Sequence, residues 1–377
     1  MRNKTKVVIV GAGILGATIA YNLSNHNKVD ITIVESKSPC SGASSHSFSW
    51  LNSFGKDPSE YHQLNRLSIG MWNRFSDSLG GKIGFHQGGE VHLENTETGA
   101  KRLKSQVKRL QEEGYPCYMI NKEELKKIEP GIVTDGITAI SFSEIDGQVE
   151  PNKVVKECLK RAQNNGVEIL LDTPVIDLKT EQNKVKSIGT TKGKIECDIA
   201  ILACGVETTK IAAMANINVP QRESPGIVIR SDPIPRIIET VSVIHIPVLN
   251  SAKKELQLNG IHIRQSTEGV ISMGGGNQET INTDDSQEYA EEIKSLVQQY
   301  LPDIKQIKPY SLPTGYRPMP IDGLPIIGFS NKVPNVYVTL MHSGVTLAPL
   351  IGEIVSLEII NRTNTKMLSP YRLTRFE

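Results

Sequence analysis

The sequence predicts an α/β fold in two domains, and three observations support this prediction. The chain has 377 residues, which is enough for two domains of ordinary size. Apolar, β-branched runs alternate with helix-compatible segments at the start of the chain and again from about residue 150. Elsewhere, short runs in which apolar and polar residues alternate follow one another. We therefore predict a second, α+β domain built on a mostly antiparallel sheet.

The N-terminal stretch has the pattern of a dinucleotide-binding site. A strand-like run over residues 6–10 leads into three glycines spaced GxGxxG: Gly11, Gly13 and Gly16. A helix-compatible segment follows, and a second apolar run then ends in Glu35. The glycines allow a tight turn and close approach to a pyrophosphate, which the helix N-terminus also attracts, while the acid can accept hydrogen bonds from ribose hydroxyls. We therefore predict a Rossmann-like domain; a glycine-rich turn in another βα unit is the alternative.

Composition and charge argue against several kinds of partner. Lys and Arg number 42 against 41 Asp and Glu, so the net charge is +1, and we expect no nucleic-acid partner. The first strand begins at Lys6 and no apolar run reaches spanning length, so we expect neither a signal peptide nor a transmembrane segment, and a cytoplasmic location. The cysteines form no CxxC pair or ligand cluster, which predicts reduced thiols and no metal site.

Three later stretches extend the candidate site. Directly after Glu35, residues 36–50 form a loop rich in small and hydroxyl side chains, which can hydrogen-bond phosphates; an ordinary Ser/Gly turn is the alternative. Residues 198–205 read as a strand that runs into a glycine turn, where the backbone can pass close to a cofactor. A Pro/Gly-rich loop at 315–328 precedes a strand, and residues 342–344 then open a helix whose N-terminus is available to an electron-rich group.

These motifs, in this order, resemble the flavin-dependent D-amino-acid oxidase superfamily, and most of all its glycine oxidase and sarcosine oxidase branch. The most specific part is residues 316–328 with 342–349, because plain Rossmann proteins lack it. The resemblance implies an FAD-binding domain of the glutathione-reductase type, with FAD rather than NAD as the bound dinucleotide. We expect this domain to comprise residues 1–80, 150–208 and 321–377, and an antiparallel-sheet substrate domain to comprise 81–149 and 209–320.

The resemblance also implies the cofactor contacts. The glycines would hold the pyrophosphate, Glu35 the adenosine ribose, and Ser44 and Ser45 the phosphates, while the Val175 backbone would pair with adenine. The start of the last helix, residues 343–347, would face the flavin pyrimidine and stabilise negative charge at N1. The implied contacts are Gly11, Gly13, Ile14, Leu15, Gly16, Glu35, Ser36, Ser44, Ser45, His46, Val175, Ala203, Cys204, Gly205, Arg317, His342, Ser343, Gly344, Val345, Thr346 and Leu347.

By the same resemblance, Arg317 matches the arginine that clamps the substrate carboxylate, a task that suits the planar guanidinium fork. An ion pair with Asp322 is the alternative. His262 falls where the glycine oxidase branch has a substrate-contacting tyrosine, and His342 where it has an arginine beside the flavin; an ordinary core or surface histidine is the alternative for each. These departures leave the substrate open among small amino acids.

Two positions concern the link to flavin. Gly315 stands where the sarcosine oxidase branch carries its flavin-linking cysteine, so that link is excluded. His46 stands where the dimethylglycine dehydrogenase branch attaches flavin through histidine. We expect non-covalent FAD, with a covalent link through His46 as the alternative.

The predicted reaction is oxidation of the C–N bond of a small amino or N-alkyl amino acid by hydride transfer to flavin N5, giving an imine that hydrolyses. Oxygen would reoxidise the flavin of an oxidase, and a quinone or other carrier that of a dehydrogenase. The catalytic candidates are Arg317, His262 and His342. Two alternatives are oxidation of a 2-hydroxy acid, with either histidine as base, and a flavin subunit of a multi-chain dehydrogenase. A homo-oligomer is compatible with each.

Overall fold

The computed structural model describes residues 4–248, 260–275 and 282–377. Within them the chain forms eight α-helices. They are α1 (Ile14–Ser24), α2 (Ser59–Ser78), α3 (Glu97–Glu112), α4 (Lys122–Ile128), α5 (Pro151–Asn164), α6 (Thr208–Ala213), α7 (Gln287–Gln298) and α8 (Gly344–Asn361). Local chemistry explains several helix starts. Thr96 accepts a hydrogen bond from the Gly99 N–H at 3.0 Å before α3, Asn121 and Glu124 form a capping box at α4, and Pro151 opens α5.

The same residues form 23 strands. They are β1 (Thr5–Val10), β2 (Val29–Val34), β3 (Trp50–Leu51), β4 (Glu90–Glu94), β5 (Cys117–Ile120), β6 (Ala139–Ser143), β7 (Gly147–Gln148), β8 (Glu168–Leu170), β9 (Val175–Glu181), β10 (Lys184–Thr190), β11 (Gly193–Glu196), β12 (Ile199–Leu202), β13 (Gln221–Arg222), β14 (Pro225–Gly226), β15 (Ile229–Ser231), β16 (Val243–Ile246), β17 (Ile261–Gln265), β18 (Ile271–Gly275), β19 (Pro309–Ser311), β20 (Gly315–Tyr316), β21 (Met319–Pro320), β22 (Ile326–Phe329) and β23 (Val336–Leu340).

A six-stranded sheet is assembled from three separated stretches of the chain, in the order β22-β23-β12-β1-β2-β8. Its strands are parallel except for β22 at one edge. Helices α1, α5 and α8 pack together over one face, and the antiparallel meander β9–β11 covers the other with α6. Because both faces are covered, β12 and most of β1 are buried, as their β-branched composition predicts.

An eight-stranded sheet forms the second layer, in the order β19-β15-β18-β17-β16-β4-β6-β5. Its pairs are antiparallel except for β16 with β4, which run parallel. One face packs on α7 and α4 in an apolar core rich in isoleucine. The predicted α/β fold with a mostly antiparallel second sheet is confirmed, while the domain boundaries stay a prediction.

Helix α8 is long and apolar enough to cross a membrane by length and composition alone, with a mean hydropathy of 1.4. Two-thirds of it (67%) is buried inside the protein, where it packs against α1 and α2. Its apolar surface is therefore used in the core, as in the central helix of many soluble folds.

Candidate active site

A cavity of about 860 Å³ lies between the two large sheets. It opens at the carboxyl ends of the parallel strands, where Val10 ends β1, Val34 ends β2 and Ala203 follows β12. Ligands of open parallel sheets bind at this edge. The opposite wall comes from the second sheet, including His262 on β17.

The glycine turn at one end of the cavity leaves no room for side chains. Gly11 has φ +105°, and a Cβ there would lie 2.5 Å from the carbonyl oxygen of Ala203. A Cβ on Gly16 would lie 2.0 Å from the carbonyl oxygen of Gly11. Helix α1 can therefore pack closely on β1, and the backbone N–H groups at its start lie at the cavity.

Two polar side chains brace this turn. Ser44 Oγ accepts a hydrogen bond from the Ile14 N–H at 3.1 Å, and Glu35 Oε2 accepts one from the Ala12 N–H at 2.8 Å. Both residues also line the cavity. A backbone turn, hydroxyl groups and an acid in this arrangement fit an anionic dinucleotide with ribose hydroxyls, which is the chemistry that the sequence predicts.

The start of α8 forms another part of the wall. Ser343 Oγ accepts a hydrogen bond from the Tyr61 hydroxyl at 2.8 Å, and Trp72 Nε1 donates to the Thr346 carbonyl at 3.0 Å. The side chain of the N-cap residue Ser343 makes no capping hydrogen bond to this helix, and Gly344 and Val345 line the cavity. The positive end of the helix dipole therefore lies at the cavity.

Arg317 also lines the cavity, and its Nη1 donates a hydrogen bond to the Pro225 carbonyl. The predicted alternative, an ion pair with Asp322, is wrong. Asp322 pairs instead with Arg375, whose Nε lies 2.8 Å from Oδ2. Burial lowers the pKa of Arg317, but a guanidinium remains charged at neutral pH.

Several positively charged side chains act on this part of the cavity. Lys56 lines the same cavity, and burial lowers its pKa to about 8. Burial also puts the pKa of His342 well below its ordinary value, and the charges of Lys56, Arg317 and Arg222 lower it further. His342 is therefore neutral at neutral pH, beside cations that favour an anionic ligand.

His262 belongs to an aromatic wall. Its ring centroid lies 5.0 Å from that of Trp50, 5.9 Å from Phe48 and 4.4 Å from His245. Burial, with a smaller contribution from His92, lowers the pKa of His262 to about 4. The imidazole is therefore neutral at pH 7 and a weak proton acceptor.

His46 and Gly315 lie next to each other in the cavity wall. His46 Nδ1 lies 3.1 Å from both the Gly42 carbonyl and the Ser45 hydroxyl. A Cβ on Gly315 would lie 2.6 Å from the Cβ of His46, so no larger side chain fits at 315 while His46 keeps this position.

Most of the predicted site residues line this one cavity. They are Gly11, Gly13, Ile14, Leu15, Glu35, Ser36, Ser44, His46, Val175, Ala203, Cys204, Gly205, His262, Arg317, His342, Ser343, Gly344, Val345 and Thr346. Gly16 lies behind the turn, where its role is close packing. Ser45 and Leu347 were predicted to contact the cofactor but do not line the cavity. The Ser45 hydroxyl donates to Gly42, and Leu347 is fully buried with its N–H bonded to the Ser343 carbonyl.

Sequence reasoning did not single out Lys56, Phe48, Trp50 or Phe54, which are among the residues that line the cavity. Phe48 and Trp50 lie at the end of the predicted phosphate loop and Phe54 follows closely, and this short spacing of aromatic residues could have indicated an aromatic wall. Lys56 had no such sign, because an isolated lysine in a loop is ordinarily solvated.

Comparison with known proteins agrees with this geometry. The family described as FAD dependent oxidoreductase (DAO) matches residues 6–357. Glycine oxidase from Geobacillus kaustophilus (strain HTA426) is 24% identical over 389 residues, covering 100% of this chain and 98% of the relative. A crystal structure of glycine oxidase from Geobacillus kaustophilus superposes with a TM-score of 0.84 at 22% identity, covering 99% of each chain.

Two further proteins are similar. The crystal structure of L-proline dehydrogenase from P. horikoshii gives a TM-score of 0.83 at 24% identity, covering 100% of this chain and 98% of that one. Mitochondrial dimethylglycine dehydrogenase of Rattus norvegicus is 22% identical over 275 residues, which is 72% of this chain and 31% of the relative. The chain thus matches less than a third of that relative's length. Because the family match covers nearly the whole chain, this protein belongs to the DAO family of FAD-dependent oxidoreductases.

Proposed function

We propose that the protein oxidises the C–N bond of a small amino acid or N-alkyl amino acid to an imine, which water then hydrolyses. The observation that carries this proposal is that Arg317 and Lys56, two cations, line the same cavity as the predicted dinucleotide-binding turn. A guanidinium and an ammonium in a partly dehydrated cavity favour a carboxylate strongly. The glycine oxidase relative supports the same substrate class.

The substrate would be held by contacts to its carboxylate and to its carbon skeleton. Arg317 would bind the carboxylate in bidentate fashion and Lys56 would add a second charge, while Trp50 and Phe48 would enclose the carbon skeleton. Holding the reacting C–N bond in one orientation supplies much of the rate enhancement in such a reaction. Bound FAD supplies the two-electron acceptor.

The protonation of the histidines supports an amine substrate over a 2-hydroxy acid. A neutral amine needs no base on the protein, whereas an alcohol must lose its hydroxyl proton. His262 has a pKa of about 4, and that of His342 is also depressed by burial. Both are therefore weak bases for an alcohol, although each can line the substrate pocket.

For the cofactor, we propose that the turn Gly11–Gly16 and Ser44 hold the pyrophosphate, Glu35 the ribose and the Val175 backbone the adenine. The start of α8 would lie against the flavin pyrimidine, where its N–H groups stabilise negative charge. Non-covalent binding of FAD stays the prediction, with a covalent link through His46 as the alternative. Acid precipitation of the protein tests it, because a covalent flavin stays yellow in the pellet.

Product analysis of the purified holoenzyme tests the proposed function. The protein is incubated with glycine, sarcosine, D-alanine or D-proline and a dye acceptor, with and without oxygen, after gel filtration has given its oligomeric state. We expect the isolated chain to give an oxo-acid with an equal amount of ammonium from glycine or D-alanine, and with an equal amount of methylamine from sarcosine. D-Proline should give a cyclic imine. Turnover with oxygen alone would make it an oxidase, and turnover only with the dye a dehydrogenase. No turnover of any amine by flavin-loaded protein would contradict the proposal.

A further inference from the structure

A second group of titratable side chains lies on the eight-stranded sheet, at the wall of the cavity. Glu90, His92 and His245 each bring a ligand atom within 4.8 Å of the other two. The strand register explains the grouping, because β16 runs beside β4 with His245 opposite His92. Residues two apart on a strand share a face, so Glu90 lies on the same side as His92, away from the apolar core.

Glu90 and His92 are buried, His245 is partly exposed, and several polar atoms of the two buried residues are unsatisfied. Glu90 is 1% exposed and His92 is 5% exposed. Among the residues that the structure describes, neither carboxylate oxygen of Glu90 nor Nδ1 of His92 has a hydrogen-bond partner, and that nitrogen lies 3.9 Å from Glu90 Oε1. Buried carboxylates are normally paired, hydrogen-bonded or bound to a metal ion.

On its other side His92 faces a carboxylate, as the histidine of a metal site ordinarily does. Its Nε2 faces Glu94 Oε1 at 3.6 Å, and Arg102 in turn holds Glu94 at 2.7 Å. In metal sites the non-coordinating ring nitrogen ordinarily donates to a carboxylate, which fixes the tautomer and the ring. With the ring proton on Nε2, which faces Glu94, the lone pair lies on Nδ1, which faces Glu90.

We propose that Glu90, His92 and His245 bind one divalent transition-metal ion of the zinc type. Two imidazoles and one carboxylate suit Zn²⁺ and leave one tetrahedral position open. Ligand atoms around a zinc ion with bonds of about 2.1 Å lie roughly 3.4 Å apart. The rings of His92 and His245 are stacked, with centroids 3.9 Å apart and an interplanar angle of 14°, so one ring must turn for both lone pairs to point at the ion. This proposal does not depend on the proposed reaction.

The cavity gives the ion a route to this site. His245 lines the cavity, whereas Glu90 and His92 do not. His245 is also paired directly opposite His262 on β17, and their rings are in contact. A metal ion bound to His245 would therefore stiffen the part of the wall that carries His262.

Zinc binding by the holoenzyme tests the proposal. The protein is treated with a chelator, then dialysed against Zn²⁺, and its zinc content is measured by mass spectrometry. We expect one zinc per chain in the wild type and in His26→Gln, which alters an exposed histidine. We expect at least a tenfold loss of affinity in Glu90→Gln and in His92→Gln. A zinc-dependent rise in Tm should appear in the wild type and in His26→Gln but not in these two variants.

Flavin absorbance and cooperative unfolding confirm that each variant is folded. If either variant fails this check, His245→Gln takes its place. Absence of stoichiometric zinc in the wild type would overturn the proposal, and so would unchanged affinity in the folded variants.

Discussion

Arg317 and Lys56 are distant in sequence, yet both line one cavity and neither has an acidic partner within the described ranges. Both side chains are partly buried. A partly buried cation without a carboxylate loses some of its hydration, and a ligand that supplies the counter-charge offsets that loss. We therefore predict that anion binding depends on these two side chains.

Replacing Arg317 with alanine removes the proposed carboxylate clamp. Loss of one partner of a buried charge pair costs about 3 kcal/mol, so kcat/KM for carboxylate substrates should fall roughly 100-fold while FAD stays bound. Steady-state kinetics and the flavin spectrum measure both effects. Arg74→Ala is the matched control, because Arg74 pairs with Glu353 on the surface. Unchanged kinetics in Arg317→Ala would remove this residue from the substrate site.

Lys56 should give anion binding a pH dependence. Its pKa of about 8 means that the ammonium is present below pH 8 and lost as the pH rises through that value. Inhibition by acetate, which has no amine of its own to titrate, should therefore weaken between about pH 7 and 9. Lys56→Met should bind acetate about tenfold more weakly at pH 7, a loss of about 1.4 kcal/mol, without that pH dependence. If the variant keeps the wild-type pH profile, another group is responsible.

At the scale of elements, β1, the glycine turn and α1 form a unit that local sequence predicts well. The β-branched run, the glycine spacing and the acid after β2 are all short-range patterns, and each has one steric or hydrogen-bonding reason. The position of Leu347 away from the cavity lining has an equally local cause. A residue four positions into a helix has its N–H already bonded, here to Ser343, and cannot offer it to a ligand.

Gly16→Ala tests the packing of α1 on β1. Its new Cβ would lie 2.0 Å from the Gly11 carbonyl oxygen, so the helix must move away from the strand and the phosphate turn must distort. We expect a lower FAD-to-protein ratio on purification and a lower Tm. Gly70→Ala in α2 is the control, since nothing lies within 4 Å of its Cβ and alanine stabilises an open helix position by about 0.5–1 kcal/mol. Equal FAD content in both variants would contradict the packing argument.

At the scale of the whole molecule, the C-terminal segment is tied to the parallel sheet by a buried ion pair. Glu358 Oε1 lies 2.5 Å from Arg372 Nη2, and the Tyr337 hydroxyl donates to Oε2 at 2.6 Å. Burial alone would raise the pKa of Glu358, but the hydrogen bonds from Arg372 and Tyr337 outweigh it and hold the pKa below its usual value. The carboxylate therefore stabilises the fold above about pH 4.5, and this contribution is lost as the pH falls through its lowered pKa.

Arg372→Met should leave the Glu358 charge buried without its partner, at a cost of about 3–5 kcal/mol. Thermal unfolding at pH 7 should show a Tm several degrees lower, and the difference from wild type should shrink in acid as Glu358 takes up a proton. Arg74→Met, which breaks an exposed pair, should cost no more than about 1 kcal/mol. A similar loss in both variants would mean that burial of the pair contributes nothing.

Long-range pairing set the limit of sequence-based prediction. Strand β4 lies beside β16 across some 150 residues of chain, and no local pattern predicts that His92 and His245 face each other. The same holds for Lys56, whose burial depends on loops folding over the cavity. Motifs within one βαβ unit could thus be predicted, whereas the charge and shape of the substrate pocket depend on tertiary contacts.

The most direct test of the proposed C–N oxidation is anaerobic bleaching of the flavin absorbance with matched substrates. Glycine, sarcosine, D-alanine and D-proline are compared with glycolate, D-lactate and L-2-hydroxyglutarate, so that amine and hydroxyl are tested on similar carbon skeletons. We predict bleaching by at least one amine and by no hydroxy acid. Bleaching by a hydroxy acid while every amine leaves the flavin oxidised would contradict it.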